Sequence, residues 1–253
     1  MSAPSWDILI PTIPHRHHKL LGLLDSLDQQ MVPGVGVRVF RDNLQYGLGD
    51  KRRVLLDSSA ADYVSCIDDD DQVAPDYIEA ITAALSSRPD YVGFIMLFTC
   101  NWAPPQVTRH SLAHDGWTDG PEGPVRDISH LNPVRRELAV LGKWEGGYGE
   151  DRRWAAALRA TGRVRTEVMI DRWMYRYRFD GDDCTENSRE PWAGPVPGLP
   201  GYPWLTVTDA CAGPVPAATG VTKAARRRPG GVQARKNAPA AGGTGAHTAR
   251  RPG

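Results

Sequence analysis

Short apolar runs alternate with segments of helical periodicity through the first hundred residues, and this alternation constrains the fold more than any other feature. The runs predict strands at residues 6–10, 35–40, 63–67 and 91–98, with the first strand ended by Pro11. The segments between them predict helices at residues 19–30, 51–61 and 75–85. Such alternation is typical of a mostly parallel sheet with helices on both faces. We therefore predict an α/β, Rossmann-like fold whose ligands bind at the carboxyl ends of the strands.

Four consecutive carboxylates, Asp68 to Asp71, directly follow the third predicted strand. Their mutual repulsion is tolerable where solvent or a cation offsets it, and a hard divalent ion prefers oxygen ligands. This placement indicates a cation site at the edge of the sheet. The alternative is a solvated acidic turn before the helix that starts near Pro75, because carboxylates are favoured at a helix N-terminus.

The composition changes near residue 208, which divides the chain into a domain at residues 1–208 and a tail at 209–253. The tail is rich in Gly, Ala, Pro and Arg and has almost no large apolar side chains, so we predict that it is disordered. It serves either as a tether to nucleic acid or another acidic surface, or as a dispensable extension. Before it, the Pro/Gly-rich residues 191–203 predict an irregular arm anchored by three aromatic residues: Trp192, Tyr202 and Trp204.

Several classes of protein are disfavoured by the rest of the sequence. The formal net charge is zero, so bulk composition does not point to nucleic acid or membrane. The four cysteines form no CxxC pair. His15, His17 and His18 lie in a loop without a partner cysteine, so we assign them no metal and expect them to face solvent or the nucleotide. No apolar segment is long enough to span a bilayer and the first residues do not form a signal peptide, which predicts a cytoplasmic protein.

Several short motifs follow one another in order between residues 5 and 180. They are Ile10-Pro-Thr-Ile-Pro-His-Arg16, Asp42-Asn43, Gly49-Asp-Lys-Arg52, Ile67-Asp-Asp-Asp-Asp71, His130-Leu-Asn-Pro133, Gly149-Glu-Asp151 and Trp173-Met-Tyr-Arg-Tyr177. Their order and spacing resemble the nucleotide-sugar glycosyltransferases of family 2, with similarities to bacterial and phage members. This resemblance implies a GT-A fold.

The resemblance also implies which residues bind the donor. The nucleotide sugar would contact Pro11, Thr12, Arg16, Asp42, Lys51, Arg52, Asp68, Asp69 and His130. Within this set, Lys51 and Arg52 would face the diphosphate, although a surface-exposed first helical turn is the alternative. His130 would face the donor sugar, or else it is a structural histidine.

A metal site follows from the same resemblance, because the acidic run matches the DxD motif. Asp68 would point toward the ribose and Asp70 would bind Mn²⁺ or Mg²⁺, with Asp71 as a support or second ligand. The run of four aspartates also allows a register shifted by one residue.

Transfer to a hydroxyl requires a base, and we predict Asp151 for this role, with Glu150 beside it. The alternative is that both carboxylates only stabilise the N-terminus of the following helix. Trp144 and Tyr148 would stack on the acceptor sugar, or they are simply buried.

The sequence therefore predicts a metal-dependent glycosyltransferase that moves a sugar from a nucleoside-diphosphate sugar to an acceptor hydroxyl, with inversion. The acceptor is left open among a glycan, a protein and a modified nucleic-acid base. The alternatives are a nucleotidyltransferase that uses the same cradle, and a non-catalytic protein that binds nucleotide sugar or nucleic acid.

Overall fold

The computed structural model describes residues 3–101, 103–120, 123–145, 149–179 and 191–211. Their strands are β1 (Trp6–Thr12), β2 (Val35–Arg41), β3 (Tyr63–Cys66), β4 (Gln72–Val73), β5 (Tyr91–Cys100), β6 (Gln106–His110), β7 (Thr118–Gly120), β8 (Gly123–Arg126), β9 (Val134–Arg135), β10 (Glu167–Phe179) and β11 (Leu205–Asp209). Their helices are α1 (His17–Asp28), α2 (Leu48–Ser58), α3 (Tyr77–Leu85), α4 (Arg136–Ala139) and α5 (Glu150–Ala160), and a 3-10 turn covers Pro14–Arg16.

All of these strands join one mixed sheet in the order β11-β2-β1-β3-β9-β5-β6-β8-β7, while β10 pairs with β4 and β5. The half that contains β11, β2, β1 and β3 is parallel, as the alternation predicts. Beyond β3 the pairing is mixed, because β9 runs antiparallel to β3 and β5, and β6 runs antiparallel to β5. The predicted α/β fold is confirmed, and the carboxyl ends of β1, β2 and β3 lie at one edge.

Helices cover both faces of the sheet, and the side chains of β1 alternate between them. Ile8 and Ile10 pack in the core formed with α1 and α3. Leu9 packs in the second core, with α2, α4 and α5. Among the described residues, no helix is long and apolar enough to cross a membrane.

Strand β1 continues through Pro11 to Thr12, whereas the sequence predicted its end before the proline. Alternate residues of a strand bond to opposite neighbours, and the carbonyl of Leu9 faces the β3 side, where it accepts the Ile67 N–H at 3.0 Å. Pro11 faces the same side, but β3 has already ended at Cys66. The missing N–H therefore costs no ladder bond.

The arm, residues 191–203, is irregular as predicted, and it leads into a strand that the sequence did not predict. Strand β11 lies parallel to β2, with Leu205 opposite Val37 and Asp209 opposite Arg41. Asp209, which the composition assigned to the tail, is thus the last residue of β11 and forms an ion pair with Arg41. Residues 212–253 of the tail lie outside the described residues.

Candidate active site

The acidic run leaves the carboxyl end of β3 and meets a cation from the turn after β1. Asp69 is buried, accepts a hydrogen bond from the Thr12 hydroxyl at 2.6 Å and pairs with Arg16 at 2.9 Å. A second guanidinium nitrogen of Arg16 lies 3.3 Å from Asp70. The structure thus brings together four of the predicted donor and metal residues.

Burial and neighbouring charges shift the protonation of this group. Burial raises the pKa of Asp69 to about 6, although Arg16 opposes the shift. Burial also raises the pKa of Asp70, with Arg16 opposing and the Asp68 carboxylate adding to the rise. Burial lowers the pKa of Arg16, but the two adjacent carboxylates outweigh it and hold that pKa above its ordinary value. Excess negative charge therefore remains around Asp70, whose side chain is 16% exposed.

Asp71 points away from this group and is anchored to β10. It accepts hydrogen bonds from the Tyr175 hydroxyl at 2.6 Å and from the Arg178 N–H at 3.0 Å. The same Tyr175 oxygen accepts the Asp68 N–H at 3.1 Å, so one side chain fixes both ends of the acidic run. The sequence predicted Asp71 as either a support or a second metal ligand. Both of its carboxylate oxygens accept hydrogen bonds from protein donors here, which favours the supporting role.

Arg52 lies inside the molecule, between the acidic run and the start of α5. Its side chain is 2% exposed, and it donates to Asp68 at 2.7 Å and to Glu150 at 2.6 Å. Its Cζ atom is 5.5 Å from the centre of the Trp144 ring. Burial lowers the pKa of Arg52, but Asp68 and the other nearby anionic groups hold it above its ordinary value. The sequence predicted that Arg52 faces a nucleotide, whereas its two terminal nitrogens here are engaged by protein carboxylates.

Lys51 is buried as well, which excludes the surface-exposed alternative for this turn. It forms an ion pair with Asp42, a fully buried carboxylate after β2, and donates to the Thr12 carbonyl at 3.2 Å. Asp42 also accepts the Tyr46 N–H at 2.8 Å. Pro11 is buried beside this group in β1. The Lys51 ammonium therefore connects the end of β1, through the Thr12 carbonyl, to the end of β2, through Asp42.

His130 and Trp144 lie behind the site and both are buried. Their rings meet edge to face at 6.0 Å, and Trp154 stacks on Trp144 at 5.0 Å. Trp144 thus packs in the core, which favours the burial alternative over sugar stacking. Neither ring nitrogen of His130 has a hydrogen-bond partner among the described residues. Burial, with Arg52 nearby, lowers the pKa of His130 to about 3, so the ring is neutral at physiological pH.

Glu150 and Asp151 begin α5, and Gly149 before them has a φ of 84°, a left-handed value that favours glycine. Glu150 is turned inward to Arg52, while Asp151 is partly exposed and accepts the Arg152 N–H at 2.7 Å. A partly exposed carboxylate therefore follows a buried one at this helix start. Tyr148, the other predicted acceptor contact, lies outside the described residues.

The carboxylates present fit a divalent cation that is only partly held by protein. No three His, Cys, Asp or Glu side chains of the described residues are arranged to hold a metal. Mg²⁺ commonly binds through one or two carboxylates together with substrate phosphates and water, so a closed protein cage is not required. Asp70, partly exposed and crowded by other carboxylates, suits that mode.

Some residues around the site were not predicted for it. Tyr175 was visible only within the motif Trp173–Tyr177, while Asn43 and Trp192 meet through bonds between distant segments. The only sequence feature that pointed to the contact between Asn43 and Trp192 was the presence of a tryptophan inside the Pro/Gly-rich arm.

Comparison with known proteins bears on the fold and on the family that the chain resembles. The model of the glycosyl transferase family 2 matches residues 22–137, a range that includes the acidic run and the ends of β2 and β3. Together with the fold, this match supports a relationship to the family 2 glycosyltransferases. The sequence comparison with curated proteins gives no match.

Solved structures of TarS from S. aureus share the fold. TarS 1–349 has a TM-score of 0.54 at 17% identity, over 73% of this chain and 62% of that one. The same fragment in complex with UDP gives 0.54 at 17% identity, over 72% and 63%. Its complex with UDP-GlcNAc gives 0.53 at 16% identity, over 69% and 58%. This chain therefore spans about three fifths of the length of the TarS fragment.

Proposed function

We propose that this protein transfers a sugar from a nucleoside-diphosphate sugar to an acceptor hydroxyl, with inversion and with Mn²⁺ or Mg²⁺. One observation carries the proposal: the edge of the sheet joins the acidic run to the helix start that bears Asp151, through the buried Arg52. The residues proposed to bind the donor therefore lie close to the residue proposed to remove the proton. The TarS complexes with UDP and UDP-GlcNAc make uridine nucleotides the first donors to test.

The donor nucleotide lies over the ends of β1, β2 and β3 in this proposal. Thr12, Arg16 and Asp69 form one hydrogen-bonded unit that borders it, and Asp42 with Lys51 borders it on the β2 side. Because these groups already neutralise one another, they are held in place before the ligand arrives. Such preorganisation lowers the ordering cost of binding.

The chemical step needs a base on the side of α5. The acceptor oxygen attacks the anomeric carbon while Asp151 takes the hydroxyl proton. The new carbon–oxygen bond forms as the bond to the diphosphate breaks, and the nucleoside diphosphate leaves with the electron pair. Attack opposite to the leaving group inverts the anomeric configuration.

Asp70, with Asp68 beside it, would hold the divalent cation together with the diphosphate. When bound, Mn²⁺ or Mg²⁺ supplies positive charge against the charge that develops on the leaving group. Asp71 keeps the run in position through Tyr175.

In this proposal Arg52 acts through its two carboxylate partners and is a positioning residue. It holds Glu150, which precedes the base, and Asp68, which borders the cation site. Charged hydrogen bonds to a buried guanidinium are short and directional, so they fix both segments. His130, neutral and buried next to this group, would border the donor sugar.

The test is an incubation of the full chain with Mn²⁺, a panel of nucleotide sugars, and glycan, protein and modified-base acceptors. Release of nucleoside diphosphate, with a mass shift of one acceptor, is expected. Pyrophosphate release from a nucleoside triphosphate and a sugar phosphate would instead establish the nucleotidyltransferase alternative. Binding of nucleotide sugar without turnover would establish a binding protein.

A further inference from the structure

The first part of the arm is fixed to the carboxyl end of β2 by side chains from that end. The Asn43 side chain accepts the Trp192 N–H at 2.6 Å and donates to the Trp192 carbonyl at 3.0 Å, which imitates a pair of strand bonds. Arg41 donates to the carbonyl of Pro197 at 2.6 Å. Asn43 directly follows Asp42, so this attachment lies beside the Asp42–Lys51 pair of the candidate site.

The indole of Trp192 is held in one orientation. Its N–H donates to the Pro195 carbonyl at 3.1 Å, and Gly194 lies against it so closely that an added Cβ would sit 3.2 Å from the ring nitrogen. The ring meets His15 edge to face, with centroids 5.1 Å apart and planes at 89°. His15 belongs to the turn after β1 and immediately precedes Arg16. The two aromatic rings therefore stand together above the ends of β1 and β2.

The order of the strands fixes where this aromatic pair lies relative to the cation site. Asp70 follows β3, β1 is the next strand, and β2 is the one after it. Neighbouring strands are about 4.8 Å apart, so the end of β2 is roughly 10 Å from the end of β3. A nucleotide whose diphosphate lies at Asp70 reaches that far with its base. Arg52 links Asp68 to Glu150 at the start of α5, where the proposed function puts the acceptor.

We propose that Trp192 and His15 form the aromatic wall of the nucleobase subsite, so that the arm is part of the donor site. This inference rests on the proposed function and extends it to base recognition. Every base has a π-face, so the wall contributes affinity through stacking. Asn43 positions the wall by holding the backbone of Trp192.

The other end of the arm offers a matched control. Tyr202 and Trp204 stack at 4.6 Å and donate to Asp25 and Asp28 of α1. These contacts attach the arm far from Asn43 and His15. A substitution at Tyr202 therefore tests whether attachment of the arm to α1 affects nucleotide binding. A substitution at Trp192 tests whether the aromatic ring itself contacts the base.

The experiment compares two ligands that differ only in the base, UDP and ribose 5-diphosphate, by calorimetric titration with Mn²⁺. Trp192→Ala should weaken UDP binding about tenfold or more and leave the affinity for ribose 5-diphosphate unchanged. Trp192→Phe should keep most of the UDP affinity, and Tyr202→Ala should match the wild type with both ligands. His15→Ala, which leaves the arm untouched, should lower only UDP affinity and serves as a second route if Trp192→Ala does not fold.

Two outcomes overturn the inference: an unchanged UDP affinity in both Trp192→Ala and His15→Ala, or an equal loss for the two ligands. The second would mean that the arm holds the pocket in shape and does not contact the base. A wild-type protein that binds none of UDP, GDP and dTDP would instead refute the proposed function, which is a separate result.

Discussion

Ion pairs near the carboxyl ends of β1, β2 and β3 are far less exposed than the ion pair between β6 and β10. Arg52, between Asp68 and Glu150, is 2% exposed, and the carboxylate of the Lys51–Asp42 pair is fully buried. On β6 and β10, by contrast, Arg109 is 43% exposed and its partner Asp171 is 71% exposed. Pairs of the second kind are solvated and contribute little to stability.

The difference teaches that the edge of the sheet formed by the carboxyl ends of β1, β2 and β3 carries buried charge at a cost in free energy. Burying ions is unfavourable unless each finds a partner with good geometry, and hydrophobic packing of similar volume is often at least as stable. We therefore expect these pairs to serve the candidate site as well as the fold. The following changes test this view, from the largest expected effect to the smallest.

Replacing Asp70 by Asn should have the largest effect. The change keeps the size of the side chain but removes a charge from the proposed cation site, so transfer should fall by about three orders of magnitude or more. Binding of nucleoside diphosphate with Mn²⁺ should weaken as well. Steady-state transfer at limiting Mn²⁺ measures the loss of activity, and calorimetry measures the loss of nucleotide affinity. Turnover equal to the wild type would show that Asp70 is not a ligand of the cation.

Asp151→Asn should separate chemistry from binding at the same edge. Loss of the proposed base should lower transfer by at least about a hundredfold, while the affinity for nucleoside diphosphate and Mn²⁺ stays as in the wild type. Calorimetric titration with UDP, GDP and dTDP checks both halves of this expectation. If the variant loses metal-dependent nucleotide binding as fully as Asp70→Asn does, Asp151 belongs to the cation site or to the fold.

Arg52→Met and Arg109→Met form a matched pair that tests the comparison directly. The first leaves Asp68 and Glu150 without their buried partner, so the free energy of unfolding should fall by about 3–5 kcal/mol. The second should change it by less than about 1 kcal/mol, because the pair is solvated. Urea unfolding of both variants gives the two values. Equal losses would show that burial of the pair is energetically irrelevant.

Removing the residues after Cys211 should have the smallest effect on stability. The removed segment is poor in apolar side chains, so the melting temperature should stay nearly unchanged. If the segment recruits an anionic acceptor, its removal should weaken acceptor binding in a salt-dependent way and leave donor hydrolysis intact. A large drop in melting temperature would mean instead that the tail packs on the domain.

The sequence was sufficient to predict the fold and the clustering of the candidate residues. Parallel strands end at a common edge, so Asp42 and the acidic run had to lie at the same edge once the strands were recognised. The spacing of residues in α2 also indicates that the Arg52 side chain points into the protein. Arg52, Leu55 and Leu56 are spaced at i, i+3 and i+4 and share the buried face of this helix. Its charge obscured that spacing, since arginine is rarely fully buried.

Contacts between distant segments were beyond sequence reasoning. The Leu-Thr-Val-Thr pattern of β11 does alternate, but it is short and adjoins a low-complexity segment, and nothing local indicates β2 as its partner. The same holds for the bonds between Asn43 and Trp192, which depend on where the arm returns to the sheet.

The pairing of β11 with β2 also has a consequence for how the chain folds during synthesis. Val37 and Val39 of β2 receive their outer neighbours, Leu205 and Val207, only near the end of translation of this domain. Until then β2 presents an open strand edge, and such edges template aggregation. A chain that stops after Trp204 would keep this edge permanently, so we expect it to accumulate in inclusion bodies even though every predicted donor residue is present.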